Sequence, residues 1–100
     1  MQTHKLKTWP AYWEETYYGR KDFDLRKDDR GFRIGDFLFL VEWDQRTGEE
    51  TGRVMQRVIT GILYGGPRVE GKEGLPDPTG ALAEGYVILS HAYVPAGWRG

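Results

Sequence analysis

Cysteine is absent from the 100 residues. That excludes a disulfide framework, a thiolate nucleophile and any cysteine-held zinc or iron–sulfur centre. Histidine is scarce: His4 and His91 are the only two, too few for a three-histidine metal site and without HxH or HxxxH spacing. No metal or other cofactor is expected. The single serine, Ser90, directly precedes His91, and neighbours on a strand point to opposite faces, so a serine–histidine pair is not expected there. No apolar run approaches the roughly 20 residues of a membrane span, and "MQTHKLKTWP" lacks the apolar core of a signal peptide. The expected location is the cytoplasm. A strong charge balance is missing too: the net charge is -1, which argues against nonspecific binding of duplex DNA through a large basic face but leaves room for a local patch.

Aromatic residues are plentiful. They make up 14% of a chain that is 39% hydrophobic, with four Trp and six Tyr, so the chain is a folding sequence and not a disordered one. Its length suits a single domain, residues 1–100, able to bury roughly 65% of the surface of its unfolded form.

Along the chain, Thr3 to Lys7 reads as a short strand, and "TWPAYWEETYYG" as the one helix. Pro10 suits the first turn and Gly19 the position past the end. Trp9, Trp13 and Tyr17 recur every four residues on one face, a stripe expected to pack in the core. In "DFDL", Phe23 and Leu25 alternate with charged neighbours, so a half-buried strand is expected with these two turned inward. Phe37 to Val41 is a buried strand, and "DQRTGEETG" a longer hairpin loop. "RVMQRVITGILYG" returns as a long strand with a bend or bulge at Gly61, and "YVILSHAYV" is the last strand. Between them, residues 65–85 form a Gly- and Pro-rich loop, functional or mobile by its length. "PAGWRG" is a tail. One helix among five or six strands predicts an α+β fold, a small mixed barrel closed at one end by the helix.

Fixed charge concentrates in "YYGRKDFDLRKDDRGFRIGD", residues 17–36, which hold six basic and five acidic side chains. Asp24 and Arg26 share a strand face roughly 6–7 Å apart, with Lys21 at the end of the preceding turn. Such a group can clamp a phosphate or meet a base edge, and it can equally tie itself into a surface ion pair. Trp9, Tyr12, Tyr18 and Trp43 lie near element ends, where a ring beside cations could stack on a base or simply fill the core.

"GRKDFDLRKDDRGFRIGD" resembles the signature of the ASCH domains of the PUA-like superfamily, Gly-x-Lys-x-x-Glu-x-Arg followed by Gly-Asp before a buried strand. Gly19, Lys21, Asp24, Arg26, Gly35 and Asp36 occupy the matching places. The wider chain, residues 3–90, looks like a small bacterial and phage subgroup of unassigned function. The resemblance implies a five- or six-stranded pseudo-barrel with a signature-lined cleft beside the helix. Relatives are associated with RNA binding, with hydrolysis of acylated cytidine or with RNA cleavage. In the hydrolytic relatives a threonine stands at the place of Asp24, acting with the lysine matching Lys21 and a downstream glutamate; Asp24 has no hydroxyl.

These readings converge on a monomeric module for RNA or a nucleotide-like ligand, with Lys21, Asp24, Arg26, Trp9 and Arg30 as ligand-binding candidates. One alternative is a small hydrolase of modified nucleosides or RNA, with Lys21 and Asp24 as catalytic candidates and Glu42 or Glu84 as a second carboxylate. Another is a phage-type factor that contacts a host protein through the 65–85 loop or the tail.

Overall fold

The computed structural model describes residues 1–94; the expected tail "PAGWRG" lies outside the described residues. The elements are β1 (Thr3–Thr8), α1 (Pro10–Tyr17), β2 (Phe23–Lys27), β3 (Phe37–Asp44), β4 (Glu49–Tyr64), β5 (Leu75–Pro76) and β6 (Tyr86–Tyr93). They form one curled sheet of six strands in the order β1-β3-β4-β6-β2, with β5 added beside β4. Neighbours along the main path are antiparallel except β1 and β3, which run parallel because α1 and β2 intervene between them. The sheet therefore ends in two edges, β1 and β2.

Period-two alternation builds the interior. On β1, His4, Leu6 and Thr8 are buried while their neighbours are exposed, and Leu38, Leu40, Ile59, Val87 and Leu89 complete one cluster with Trp13, Phe32 and Tyr64. The helix starts at Pro10, as its fixed φ favours, with Trp9 giving no side-chain cap. It stops at Gly19, whose φ of 77° is the left-handed conformation that ends helices at low cost. The aromatic stripe divides: Trp13 is buried, whereas Trp9 and Tyr17 are exposed. The burial that holds α1 down comes from Trp13 and Thr16, three residues apart, and a helix of eight residues has no room for a longer inward face.

The β3–β4 hairpin is tighter than the sequence suggests. Asp44 accepts hydrogen bonds from the backbone of Arg46 and, through its carbonyl, of Gly48, so the turn closes over residues 45–48 and β4 begins at Glu49. The expected bulge is present on β4: pairing with β6 shifts between Ile59 and Gly61. A β-carbon at Gly61 would stand 2.6 Å from Ser90 Oγ, so a larger residue there would turn that hydroxyl away from Thr60.

The 65–85 segment is tied down. Leu75 and Pro76 pair with Leu63 and Tyr64, Asp77 caps a turn by accepting from the backbone of Thr79 and Leu82, and Lys72 reaches Asp28 at 2.5 Å. Hydrogen bonds from polar side chains replace the apolar anchors it lacks.

Candidate functional site

The curled sheet leaves a seam where its β1 and β2 edges approach each other, and side chains bridge it. Arg26 Nη1 donates to the Lys7 carbonyl at 3.1 Å and Nη2 to Thr8 Oγ1 at 3.2 Å. Arg30 Nη1 donates to the Lys5 carbonyl at 2.9 Å. Above this seam, beside the start of α1, lies a cleft of about 440 Å³ lined by Lys7 and Thr8 from β1, Trp9 just before the helix, Tyr12 on it, Lys21, and Phe23 to Arg26 from β2. Lys21, Asp24 and Arg26, grouped by the sequence reading, meet in it. Trp9 lines its mouth. Arg30 instead lines a neighbouring hollow.

Asp24 is the pivot. It is 5% exposed; its Oδ1 accepts from Lys21 Nζ at 2.9 Å and lies 3.6 Å from Arg26 Nη2, and its Oδ2 accepts from His91 Nε2 at 3.0 Å. Behind His91, Arg57 Nε donates to His91 Nδ1 at 2.9 Å. A guanidinium N–H can only donate, so Nδ1 is the acceptor and Nε2 carries the proton that faces Asp24. A hydrogen-bonded line thus runs from Arg57 through His91 and Asp24 to Lys21. Burial by itself pushes the Asp24 carboxyl up, but the hydrogen bond from His91, the charge and hydrogen bond of Lys21 and the charge of Arg26 outweigh it, leaving its pKa lowered. Burial likewise pushes the Arg57 guanidinium down, against the holding charges of Asp22 and Asp24.

This arrangement inverts the expected orientation of β2. Phe23 and Leu25 are 47% and 59% exposed, and Asp24 is inside. The register explains it: Asp24 stands opposite Leu89, a fully buried core residue, whereas Phe23 and Leu25 stand opposite Ser90 and Ile88. Because β2 is an edge strand, its apolar side chains border the open cleft, and the carboxylate that takes the inner place is compensated by His91 and Lys21.

The cleft walls are aromatic. Trp9 and Tyr12 stack with ring centres 6.2 Å apart, and the Lys21 ammonium lies 5.2 Å from the Phe23 ring and 5.9 Å from that of Tyr12. Lys7 sits 3.9 Å over Trp43, while Tyr18 packs under Arg20 away from the cleft lining. Lys7, Lys21 and Arg26 against the lone carboxylate of Asp24 leave the lining with excess positive charge.

The other acidic and histidine candidates are engaged elsewhere. Glu42 is buried and accepts from Arg53 Nη2 at 2.6 Å and from the Thr51 hydroxyl; the Arg53 hydrogen bond, before all else, holds its carboxyl low. Glu84 packs against Gly66. Asp36 accepts from His4 Nε2 at 2.8 Å and from the backbone of Gln2 and Arg33, pinning the start of β1 to the turn before β3. None of these residues lines the cleft. Among the described residues, no cluster of three or more His, Asp or Glu could hold a metal, and no helix is long and apolar enough to cross a membrane.

Asp24 and Asp36 both have folded pKa values below the ordinary aspartate value of 3.8; for Asp36 burial opposes the shift, and the hydrogen bonds from His4, Gln2 and Arg33 overcome it. A group lowered in the fold contributes stability that is complete above its unfolded value and is lost as pH falls through the folded one. Urea midpoints are therefore expected to hold steady from about pH 7 to about pH 5 and to fall steeply below about pH 4. A midpoint unchanged by acid would show that neither carboxylate is favoured by the fold.

Sequence reasoning missed His91 and Arg57. For His91 a signal was present: it shares the parity of Val87 and Leu89, the inward face of β6. For Arg57 there was none, as an arginine on a strand otherwise reads as solvent-facing.

Comparison with known proteins adds the lineage. The curled six-stranded half-barrel with one short helix fits a PUA-like fold. A protein of Escherichia phage P2 described as "Uncharacterized 12.9 kDa protein in GpA 3'region" is 37% identical over 59 residues, which are 59% of this chain and 52% of that protein. The chain thus matches about half the length of that relative. The family described as "Domain of unknown function (DUF3850)" matches residues 3–91, from the first residue of β1 to within two residues of the end of β6, and the chain belongs to that family.

Proposed function

We propose that this chain is an ASCH-type binding module for RNA or a nucleotide-like ligand, which it holds in the cleft between α1 and β2. The observation that carries this reading is the junction of an exposed stacked pair, Trp9 and Tyr12, with a floor of Lys21 and Arg26 fixed by one buried carboxylate. Rings offer a base a stacking surface, and cations offer a phosphate its counter-charge. A volume of about 440 Å³ falls within the range of small-ligand sites. Asp24 serves here to position the cations. Its two oxygens are already engaged and its lowered pKa makes it a weak base, which counts against water activation and hence against the hydrolase alternative.

NMR titration of labelled protein with a nucleoside, its 5′-monophosphate and a short RNA tests the reading. Saturable shifts are expected at the Trp9 indole and at the amides of residues 21–26, with Trp9→Ala weakening binding roughly ten- to hundredfold, the worth of one base stack. No shift with any of the three ligands would overturn it and leave a protein partner as the reading to pursue.

A further inference from the structure

Arg26 lines two cavities. Beyond it from the cleft lies a hollow of about 220 Å³ bounded by Leu6, Arg26, Lys27, Asp29, Arg30 and Phe32. It falls below the usual size of small-ligand sites and is roomy for a phosphate. Its charge is one-sided: three cations face one carboxylate in a chain whose net charge is -1. Asp29 forms a loose ion pair with Arg30, 3.9 Å away with both side chains exposed, and water screens such a pair. Lys27 makes no ion pair among the described residues. Arg30 spends one N–H on the Lys5 carbonyl, so most of its fork of five donors remains for an anion.

The two guanidiniums are also spaced. Arg26 and Arg30 are anchored to the carbonyls of Lys7 and Lys5, which are two residues apart on β1 and hence roughly 6–7 Å apart. That separation is comparable to the step between successive phosphates of an extended single strand. Arg26, common to both cavities, joins them into one track along the seam.

We propose that the hollow at Lys27 and Arg30 is a phosphate subsite, and that the ligand is a single-stranded oligonucleotide whose base and one phosphate occupy the cleft, the phosphate against Lys21 and Arg26, while the next phosphate along the backbone occupies the hollow. This rests on the nucleotide-binding reading of the cleft and adds to it that a free mononucleotide is only part of the ligand. Duplex RNA does not fit, because its bases are stacked and paired and cannot enter the ring-walled cleft.

The test compares a nucleoside 5′-monophosphate with a trinucleotide of the same base, which carries a phosphate on each side of its central residue, by calorimetry on the full chain and on a Lys27→Gln/Arg30→Gln variant. The trinucleotide is expected to bind the parent about ten- to hundredfold more tightly, the worth of a charge-assisted contact. In the double variant that advantage should largely vanish, mononucleotide affinity should stay within about twofold, and the salt slope for the trinucleotide should flatten by roughly 0.7 per lost phosphate contact. Lys27→Gln alone, at an exposed side chain, gives a partial loss in the same direction should the double variant fold poorly. Equal affinity of the parent for both ligands, or an advantage that survives the substitutions, overturns the subsite and leaves the cleft reading standing. Binding of neither ligand overturns both.

Discussion

Replacing Asp24 by alanine is expected to cost the fold about 3–5 kcal/mol, because it leaves the buried donor of His91 and the half-buried ammonium of Lys21 without their acceptor. For a domain of this size each kcal/mol lowers the melting temperature by roughly 4–8 °C, so the variant should unfold far below the parent. Asp24→Asn is not a rescue. Whichever way the amide turns, its NH2 faces either Lys21 Nζ or the Nε2–H of His91, and that tautomer is fixed by Arg57 behind it. Donor then meets donor in a buried place. Arg57→Met with His91→Leu, which removes the partners together, would cost less than the sum of the single changes, the mark of groups that act as one network. Where Asp24→Asn remains folded, affinity for phosphate-bearing ligands should be kept or rise, since Lys21 and Arg26 lose a competing anion. Loss of turnover with affinity intact would reveal a catalytic carboxylate. Melting curves of the two Asp24 variants that overlay the parent would refute the network as a source of stability.

The same residue shows how far the sequence could be read. Lys21, Asp24 and Arg26 were legible as a group because strand periodicity and a nearby turn are local properties, and the structure brings all three to one cleft. Which face of β2 turns inward was not legible. Alternation gives two faces without naming the inner one, and the choice of Asp24 over Phe23 and Leu25 was made by His91, 67 residues away in sequence. The helix repeats the lesson. Its start at Pro10 and its end at Gly19 are written locally, whereas the fate of Trp9, Trp13 and Tyr17 depends on where a helix of only two turns meets β3. The 65–85 segment had few apolar anchors to read, and its order comes from Asp77, Lys72 and Glu73 reaching backbone and side-chain partners, contacts that composition does not announce. Strands, by contrast, were read correctly where burial and alternation agree, as on β1 and β6.

That dependence makes Trp13 the second sensitive position. Isolated helices of eight residues are not stable in water, and α1 has no side-chain cap at Trp9 to help it. What holds it is Trp13: 3% exposed, its Nε1 donates to the Leu40 carbonyl at 3.0 Å, and its ring lies under the Arg53 guanidinium at 4.4 Å. Arg53 in turn joins Glu14 of α1 to Glu42 of β3, so the ring is the floor of the clamp between helix and sheet. Trp13→Ala is expected to cost about 3–5 kcal/mol through the cavity it leaves, and also to release the helix that carries Trp9 and Tyr12. Trp13→Phe retains most of the packing and forfeits the hydrogen bond, for about 1–2 kcal/mol. The two variants therefore separate stability from site geometry. Urea melts should rank parent, Phe and Ala in that order, while the Trp9 indole resonance and its response to nucleotide should survive in the Phe variant and be lost in the Ala variant even where the sheet remains folded. A Trp13→Ala protein that kept both its stability and the Trp9 response would mean that the helix is placed by the Arg53 ion pairs alone, and the cleft wall would then depend on ionic strength and not on packing.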